Sequence, residues 1–395
     1  MAPPRNAVPC PAREKTTRAI WARRAAACAL LLLTLTSTAG CAQPEPVSGT
    51  VSASDPVTEV VPSLVPLPAT ATALPPTVTP TPSITPVVSL PQPYQTPNTS
   101  GRVRLAAVGD LMLGRTIGER ILSQGPQVPF AGVADVLGAA DLALGNLECA
   151  MGSGGTAVPK YYTFLAPPEG AQALKLGGLD IINLANNHSL DYGPETLAET
   201  LGLLKGNGMY AVGAGLSEGQ AYGPLVVEVN GLRIAFLGRV NIPVELTTFD
   251  TRSWAAVGDR AGVAWGEAAE VEDAVRAAKA QADVVVLLLH SGWEMYLAPS
   301  SEERVLAQAA IDGGASLVLG THSHLIQATD ETKPGTLIAY GLGNFVFDEF
   351  DGGATDSAIL HVILTRAGVE SFSWQPVEIQ SGLPVLVSPT PTPTS

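Results

Sequence analysis

The chain has 395 residues and carries 36 acidic against 22 basic side chains, for a formal net charge of −14. Several of the basic residues lie within the first 24 positions, where only Glu14 opposes them, so the remainder is more acidic still. Such a chain has no electrostatic footprint for nucleic acid and is repelled by an anionic lipid surface, although a single anionic group held through bound cations stays open to it.

Residues 1–41 read as an export signal. A basic stretch ending at Arg23 and Arg24 is followed by the apolar run Ala25 to Leu35 and then by small residues before Cys41. The run is too short for a permanent membrane-spanning helix. Small residues directly before a cysteine resemble the bacterial lipoprotein cleavage box, with Thr38 where that box usually has Leu. The resemblance implies that Cys41 becomes lipidated and anchors the protein to the membrane.

Residues 42–101 are rich in Pro, Thr and Ser and read as a disordered, extended stalk, because dense prolines remove backbone donors and fix φ. The composition returns in residues 381–395, read as a disordered tail. Between them, residues 102–380 alternate short β-branched runs with amphipathic stretches, which predicts one α/β domain with mixed sheets. Expected strands are 103–108, 141–145, 179–185, 284–289, 317–319 and 336–340. Expected helices are 194–204, 267–281 and 300–311, the last opened by a capping box of Ser300 and Glu303. Asn230-Gly231 between two apolar runs predicts a hairpin, and 358–364 and 370–379 add strands.

The residues at the ends of these strands carry the chemistry. In chain order they are Gly109-Asp110, Asn146-Leu147-Glu148, Asn186-Asn187-His188, His290 and Thr321-His322-Ser323-His324. Four of the chain's five histidines stand there. In an open α/β sheet the carboxyl ends of the strands lie together, so these residues can converge on one crevice. Asp110 and Glu148 can bind or bridge cations, Asn187 offers a carbonyl oxygen, and the imidazoles of His290, His322 and His324 favour transition metals. Two ions about 3.5–4 Å apart would clamp a phosphoryl group and activate water. Cys149 is read as a small half-buried residue rather than a nucleophile, His361 as a structural histidine within a strand, and Glu294 as a surface or supporting group.

In this order the motifs GDLMLGR, NLE, LANNHSLDYG, HSGWEMYLAPS, THSH and GLGNFVFD resemble the CapA branch of the calcineurin-like metallophosphoesterase superfamily. The resemblance covers essentially the whole domain and implies an αββα sandwich with mixed sheets. It implies two divalent transition-metal ions (Mn, Fe or Zn), Asp110 and His324 holding one, Asn187, His290 and His322 the other, and Glu148 bridging. His188 is then an unligated catalytic histidine that donates a proton to the leaving oxygen or stabilises charge. Asp191 either orients His188 or caps the helix opening at Pro194. Arg115 and Asn344 are substrate contacts by the same resemblance. Met112 stands where the superfamily usually places a histidine ligand, and Glu148 where it usually places Asp, which puts one metal site and catalytic competence in question.

The leading expectation is an envelope-anchored protein serving synthesis, export or attachment of an anionic capsule polymer such as poly-γ-glutamate, alongside membrane polymer-synthase subunits. A metal-dependent phosphoesterase acting on an extracytoplasmic phosphate ester is the second. A non-catalytic partner with a vestigial metal site, motivated by Met112, is the third.

Overall fold

A computed structural model describes residues 87–89, 100–242, 249–348 and 354–387. All belong to the compact unit 79–395; the leader, Cys41, most of the stalk and residues 388–395 lie outside the described residues. Among those described, no helix is long and apolar enough to cross a membrane.

Two large mixed sheets, beside two small two-stranded ones, form the frame of the described residues. In the first, the strands run in space as Leu383–Leu386, Gly368–Gln380, Asp356–Thr365, Arg102–Leu111, Leu142–Leu147, Ile181–Asn183 and Tyr210–Val212. The strand Asn344–Val346 joins this sheet beside Arg102–Leu111, in parallel register. The second sheet runs Val87–Ser89, Leu225–Val229, Leu232–Asn241, Val284–Ser291, Leu317–Thr321, Leu337–Ala339 and Thr329–Asp330. Asn230-Gly231 makes the expected hairpin, with Leu232 opposite Val229. The parallel strands are the continuous apolar runs of the sequence, and the reason is burial on both faces.

Alternation within those runs assigns the layers. Leu105 and Leu144 of the first sheet pack with Ile234, Val286 and Leu319 of the second, forming the core between the sheets. Their strand neighbours Ala106 and Ala143 face outward with Ile117, Leu174 and Leu197 of the helices Arg115–Gln124, Gly170–Leu176 and Pro194–Gly206. On the other side Val285, Leu287 and Val318 meet Val271, Val275 and Leu306 of the helices Ala268–Lys279 and Ser301–Gly313. The order of layers is helix, sheet, sheet, helix, as the sequence motifs imply. Ser300 closes the expected capping box, its Oγ accepting from the Glu303 N–H at 3.1 Å while Glu303 Oε2 accepts from the Ser300 N–H at 2.6 Å.

The ordered sheet extends past both expected boundaries. Val87–Ser89 pairs in parallel with Val226 to Glu228 inside the stretch read as a stalk. The three residues fall in a proline-free gap between Pro86 and Pro91, and proline excludes pairing only where it stands. Beyond Gln380, Leu383–Leu386 pairs with Val377 to Gln380, so the domain continues into residues read as tail. Thr/Pro-rich composition masked the apolar Leu383, Val385 and Leu386.

Gly109 has a steric reason to be glycine. A Cβ there would fall 1.8 Å from the Gly343 carbonyl oxygen, because the Asp110 N–H donates to that carbonyl at 2.9 Å. This close approach brings Asn344 into register with Asp110.

Candidate metal centre

Asp110, Asn146, His290 and Thr321 lie at the carboxyl ends of adjacent parallel strands: Asp110 is the register partner of Asn146, and His290 of Thr321. The loops that follow add Glu148, Asn187, His322 and His324, and all six proposed ligands are buried. His324 Nδ1 lies 3.5 Å from Asp110 Oδ2 and 3.9 Å from Glu148 Oε2. His290 Nε2 lies 3.5 Å from Glu148 Oε1 and 2.8 Å from Asn187 Oδ1. The ring centres of His290 and His322 are 4.8 Å apart, those of His322 and His324 6.1 Å. The His322 N–H donates to Asp110 Oδ2 at 3.3 Å. His322 and His324 take φ values of 90° and 58°, so the THSH segment is bent rather than extended.

A layer of amides fixes this cluster. Asn146 Nδ2 donates to Asp110 Oδ1 at 2.9 Å, and Asn146 Oδ1 accepts from Asn183 at 2.9 Å and from Asn186 at 3.1 Å. Asn186 Oδ1 in turn accepts from the His188 N–H at 2.9 Å. Thr321 Oγ1 stands 2.9 Å from His290 Nδ1. Asn344 Oδ1 is 2.7 Å from His324 Nδ1, so Asn344 reaches the cluster through an imidazole.

The donor set fits a divalent cation. Glu148 Oε2 and His322 Nδ1 are buried without a hydrogen-bond partner, and the ligand atoms of Glu148, His322 and His324 all lie within 4.8 Å of one another. Orphaned polar atoms of this kind cost free energy unless something binds them. Burial pushes the Asp110 carboxyl up to about 7, with the charge of Glu294 adding to it, and holds the Glu148 carboxyl well above its usual range, with Asp110 adding to it. Burial also pushes His324 down to about 4 and holds His290 and His322 well below the usual imidazole range. Neutral imidazoles beside carboxyls that resist charging are the state a bound cation converts into carboxylate and imidazole ligands. Oxygen and nitrogen donors without thiolate suit Mn, Fe or Zn.

His188 follows Asn187 in the chain and is buried, and its Nδ1 lies 2.6 Å from Asp191 Oδ2. Of the two roles open to Asp191, this is the orienting one; the helix at Pro194 is preceded by Gly193, with no side-chain cap. Asp191 also accepts from the Phe164 N–H at 2.7 Å and from Lys160 Nζ at 2.9 Å. The Phe164 ring lies against the His188 ring, centres 4.3 Å apart, and the Arg115 guanidinium lies 4.9 Å from the Phe164 centre. Arg115 therefore stands two contacts from His188, tied to Asp348.

Met112 is fully buried in the helix-facing core of the first sheet, and its sulfur accepts from the Gly114 N–H at 3.2 Å. Its place in the ligand sequence is thus filled by a core side chain. Cys149 is fully buried in the same core, where burial pushes its thiol up to about 12. His361 bonds Gln375 across two strands at 2.8 Å. Glu294 is exposed, yet its charge reaches Asp110 and Glu148. Lys160, Phe164, Asn146 and Asn183 had no assigned part in the sequence reading. Asn146 stands inside the NLE motif and was the one open to discovery.

Comparison with known proteins gives the family. Residues 104–349 match the family described as "Bacterial capsule synthesis protein PGA_cap". The chain belongs to this bacterial capsule synthesis family, within the calcineurin-like metallophosphoesterase superfamily that its motifs resemble. It is similar to the "PGA biosynthesis protein CapA" of Bacillus subtilis (strain 168), 31% identical over 283 residues, covering 71% of this chain and 72% of that one. It is also similar to the "Capsule biosynthesis protein CapA" of Bacillus anthracis, 31% identical over 72% of this chain and 69% of that one. A crystal structure of a hypothetical protein from Thermus thermophilus aligns with a TM-score of 0.43 at 19% identity, over 70% of this chain and 99% of that one.

Proposed function

We propose that this protein serves the synthesis, export or attachment of poly-γ-glutamate or a similar anionic capsule polymer at the outer face of the bacterial envelope. The observation that carries this reading is the family match across residues 104–349, together with the two CapA relatives. A chain of net charge −14 repels a polyanion over most of its surface, so contact with such a polymer is confined to a cation-bearing site. Lipid on Cys41 and a proline-rich spacer would hold the domain near membrane polymer-synthase subunits. Expression in Bacillus subtilis lacking its own CapA tests the reading: restored cell-associated polyglutamate supports it, and polymer left at the level of the deletion strain sinks it. Labelling with a fatty-acid analogue, abolished by Cys41→Ser, tests the anchor.

A second reading, a metal-dependent phosphoesterase acting on an extracytoplasmic phosphate ester, is favoured by the His188–Asp191 pair beside the ligand cluster. Asp110 and His324 would hold one ion and Asn187, His290 and His322 the other, with Glu148 shared. Bound there, the ions would supply Lewis-acid stabilisation of the phosphoryl group and lower the pKa of water. Asp191 holds His188 at Nδ1, and a protonated ring would give its proton to the leaving oxygen from Nε2 on the opposite edge. The buried amides keep the ligands in place and exclude bulk water from them. Turnover of a chromogenic phosphodiester in added manganese, lost in His188→Ala, supports this reading; absence of turnover in metal-loaded protein leaves the polymer role non-catalytic.

A further inference from the structure

Lys160 is a buried cation with a defined set of partners. Its side chain and that of Asp191 are both fully buried, 2.9 Å apart from Nζ to Oδ1. Nζ also donates to the main-chain carbonyl of Asn187. The rings of Trp254 and Phe249 cover it, their centres 4.9 and 5.8 Å away. The two oxygens of Asp191 divide their work: Oδ1 takes Lys160, while Oδ2 takes the Phe164 N–H at 2.7 Å and faces His188 Nδ1 at 2.6 Å.

We propose that Lys160 is a positioning residue for His188, acting through Asp191 to hold the ring with Nδ1 on the carboxylate and Nε2 on the opposite edge. The physical ground is charge. A carboxylate with no exposure is stable as an anion only beside a compensating cation, and Lys160 is in direct contact with it. An anionic Asp191 has no hydrogen to give, so the short contact at Oδ2 is an Nδ1–H donation from His188. Removal of the ammonium takes away the partner that fixes Asp191 Oδ1, so the carboxylate is no longer held against His188. The bond to the Asn187 carbonyl anchors the same dipeptide from its main chain, so one ammonium fixes His188 from two directions. Outer partners of this type set the tautomer and aim of histidines in metal sites.

This inference rests on the phosphoesterase reading only for its effect on turnover. The test uses full-length protein with 15N-labelled histidine, compared with Lys160→Met and Lys160→Gln, both of which remove the charge. In the native protein the His188 Nδ1–H proton is expected far downfield and slow to exchange with water. In both variants that signal should vanish, turnover should fall by about 10–100-fold, and each double variant with His188→Ala should fall no further than His188→Ala alone. A His188 signal unchanged in both variants overturns the proposal. Failure of both variants to fold by circular dichroism also overturns it, by assigning Lys160 to the fold alone. If the native protein turns over no phosphodiester while its His188 signal still depends on Lys160, the positioning role stands and the phosphoesterase reading falls.

Discussion

Arg115 and Asp348, 233 residues apart in sequence, meet in a two-point ion pair in which Nε donates to Oδ2 at 3.1 Å and Nη2 donates to Oδ1. The pair joins the end of the first motif to the end of the last, and Thr116 adds a third bond to the same carboxylate at 3.0 Å. Arg115 is partly exposed, so solvent screens the pair. Arg115→Ala should cost about 1 kcal/mol or less, and it should leave metal content unchanged because Arg115 touches no candidate ligand. Melting temperature and emission spectroscopy check this; loss of metal would show that the Arg115–Phe164–His188 stack reaches into the ligand cluster.

His188 and His322 should behave unequally. His322 is a candidate ligand with an orphaned nitrogen, so His322→Ala should lose at least one metal ion and the stability that metal confers by binding only the native state. His188 faces Asp191, and His188→Ala should keep its metal and its melting temperature. Its turnover should fall by about 10²–10⁴-fold if it handles the proton. Metal lost from His188→Ala would contradict the assignment of the site.

Metal uptake should release protons at pH 6. In the metal-free protein Asp110 is raised from 3.8 to about 7, so its contribution to stability is full below about pH 4 and is lost as pH rises through about 7. His324 is lowered from 6.5 to about 4, so its contribution is present above about pH 6.5 and is lost as pH falls through about 4. Between those limits the two slopes have opposite sign and offset each other, which makes melting a poor reporter. Proton release is the sharper one: at pH 6 His324 is already neutral while Asp110 still holds a proton that a cation must displace. Calorimetric titration with manganese in two buffers of different ionisation enthalpy should give different heats, and equal heats would sink the prediction.

The C-terminal strand should be needed for stability. Arg120 Nη1 donates to the Ser381 carbonyl at 2.9 Å, and the Phe347 N–H donates to the Gly382 carbonyl at 3.2 Å. Leu383 and Leu386 pack against the core on the helix side of the first sheet. A fragment of residues 100–380 should be less stable than residues 100–387 by about 2–4 kcal/mol, from the apolar area of two partly buried leucines and the lost pairing. Denaturant midpoints of the two fragments decide it.

The parts of the site legible in sequence are those where a polar residue interrupts an apolar run. Asp110, Glu148, His290 and His322 each stand at the end of a buried strand or just past it, and no packing role explains such a residue there. Lys160 escaped because it lies in an irregular loop, where neither period nor neighbours distinguish a buried ammonium from a solvated one. Asn183 escaped because it occupies a strand position and its partner Asn146 lies on a different strand, so the amide bond between them exists only after the sheet forms. The same limit hid the Val87–Ser89 and Leu383–Leu386 strands: an edge strand of three or four residues is specified by the sheet it joins more than by its own composition.

The left-handed backbone at His322 and His324 bears on the order of assembly. Conformations with φ of 90° and 58° are sparsely populated for residues with a side chain and cost about 1–3 kcal/mol each. Packing and hydrogen bonds hold them, among them the Met295 N–H on the Ser323 carbonyl at 2.9 Å and Ser323 Oγ on the Leu325 carbonyl at 3.0 Å. The two imidazoles are therefore presented by a main chain already bent to shape, at the expense of global stability. An arriving ion would meet a preformed chelate and would not have to gather its ligands from a flexible loop, so little ordering entropy would oppose its binding.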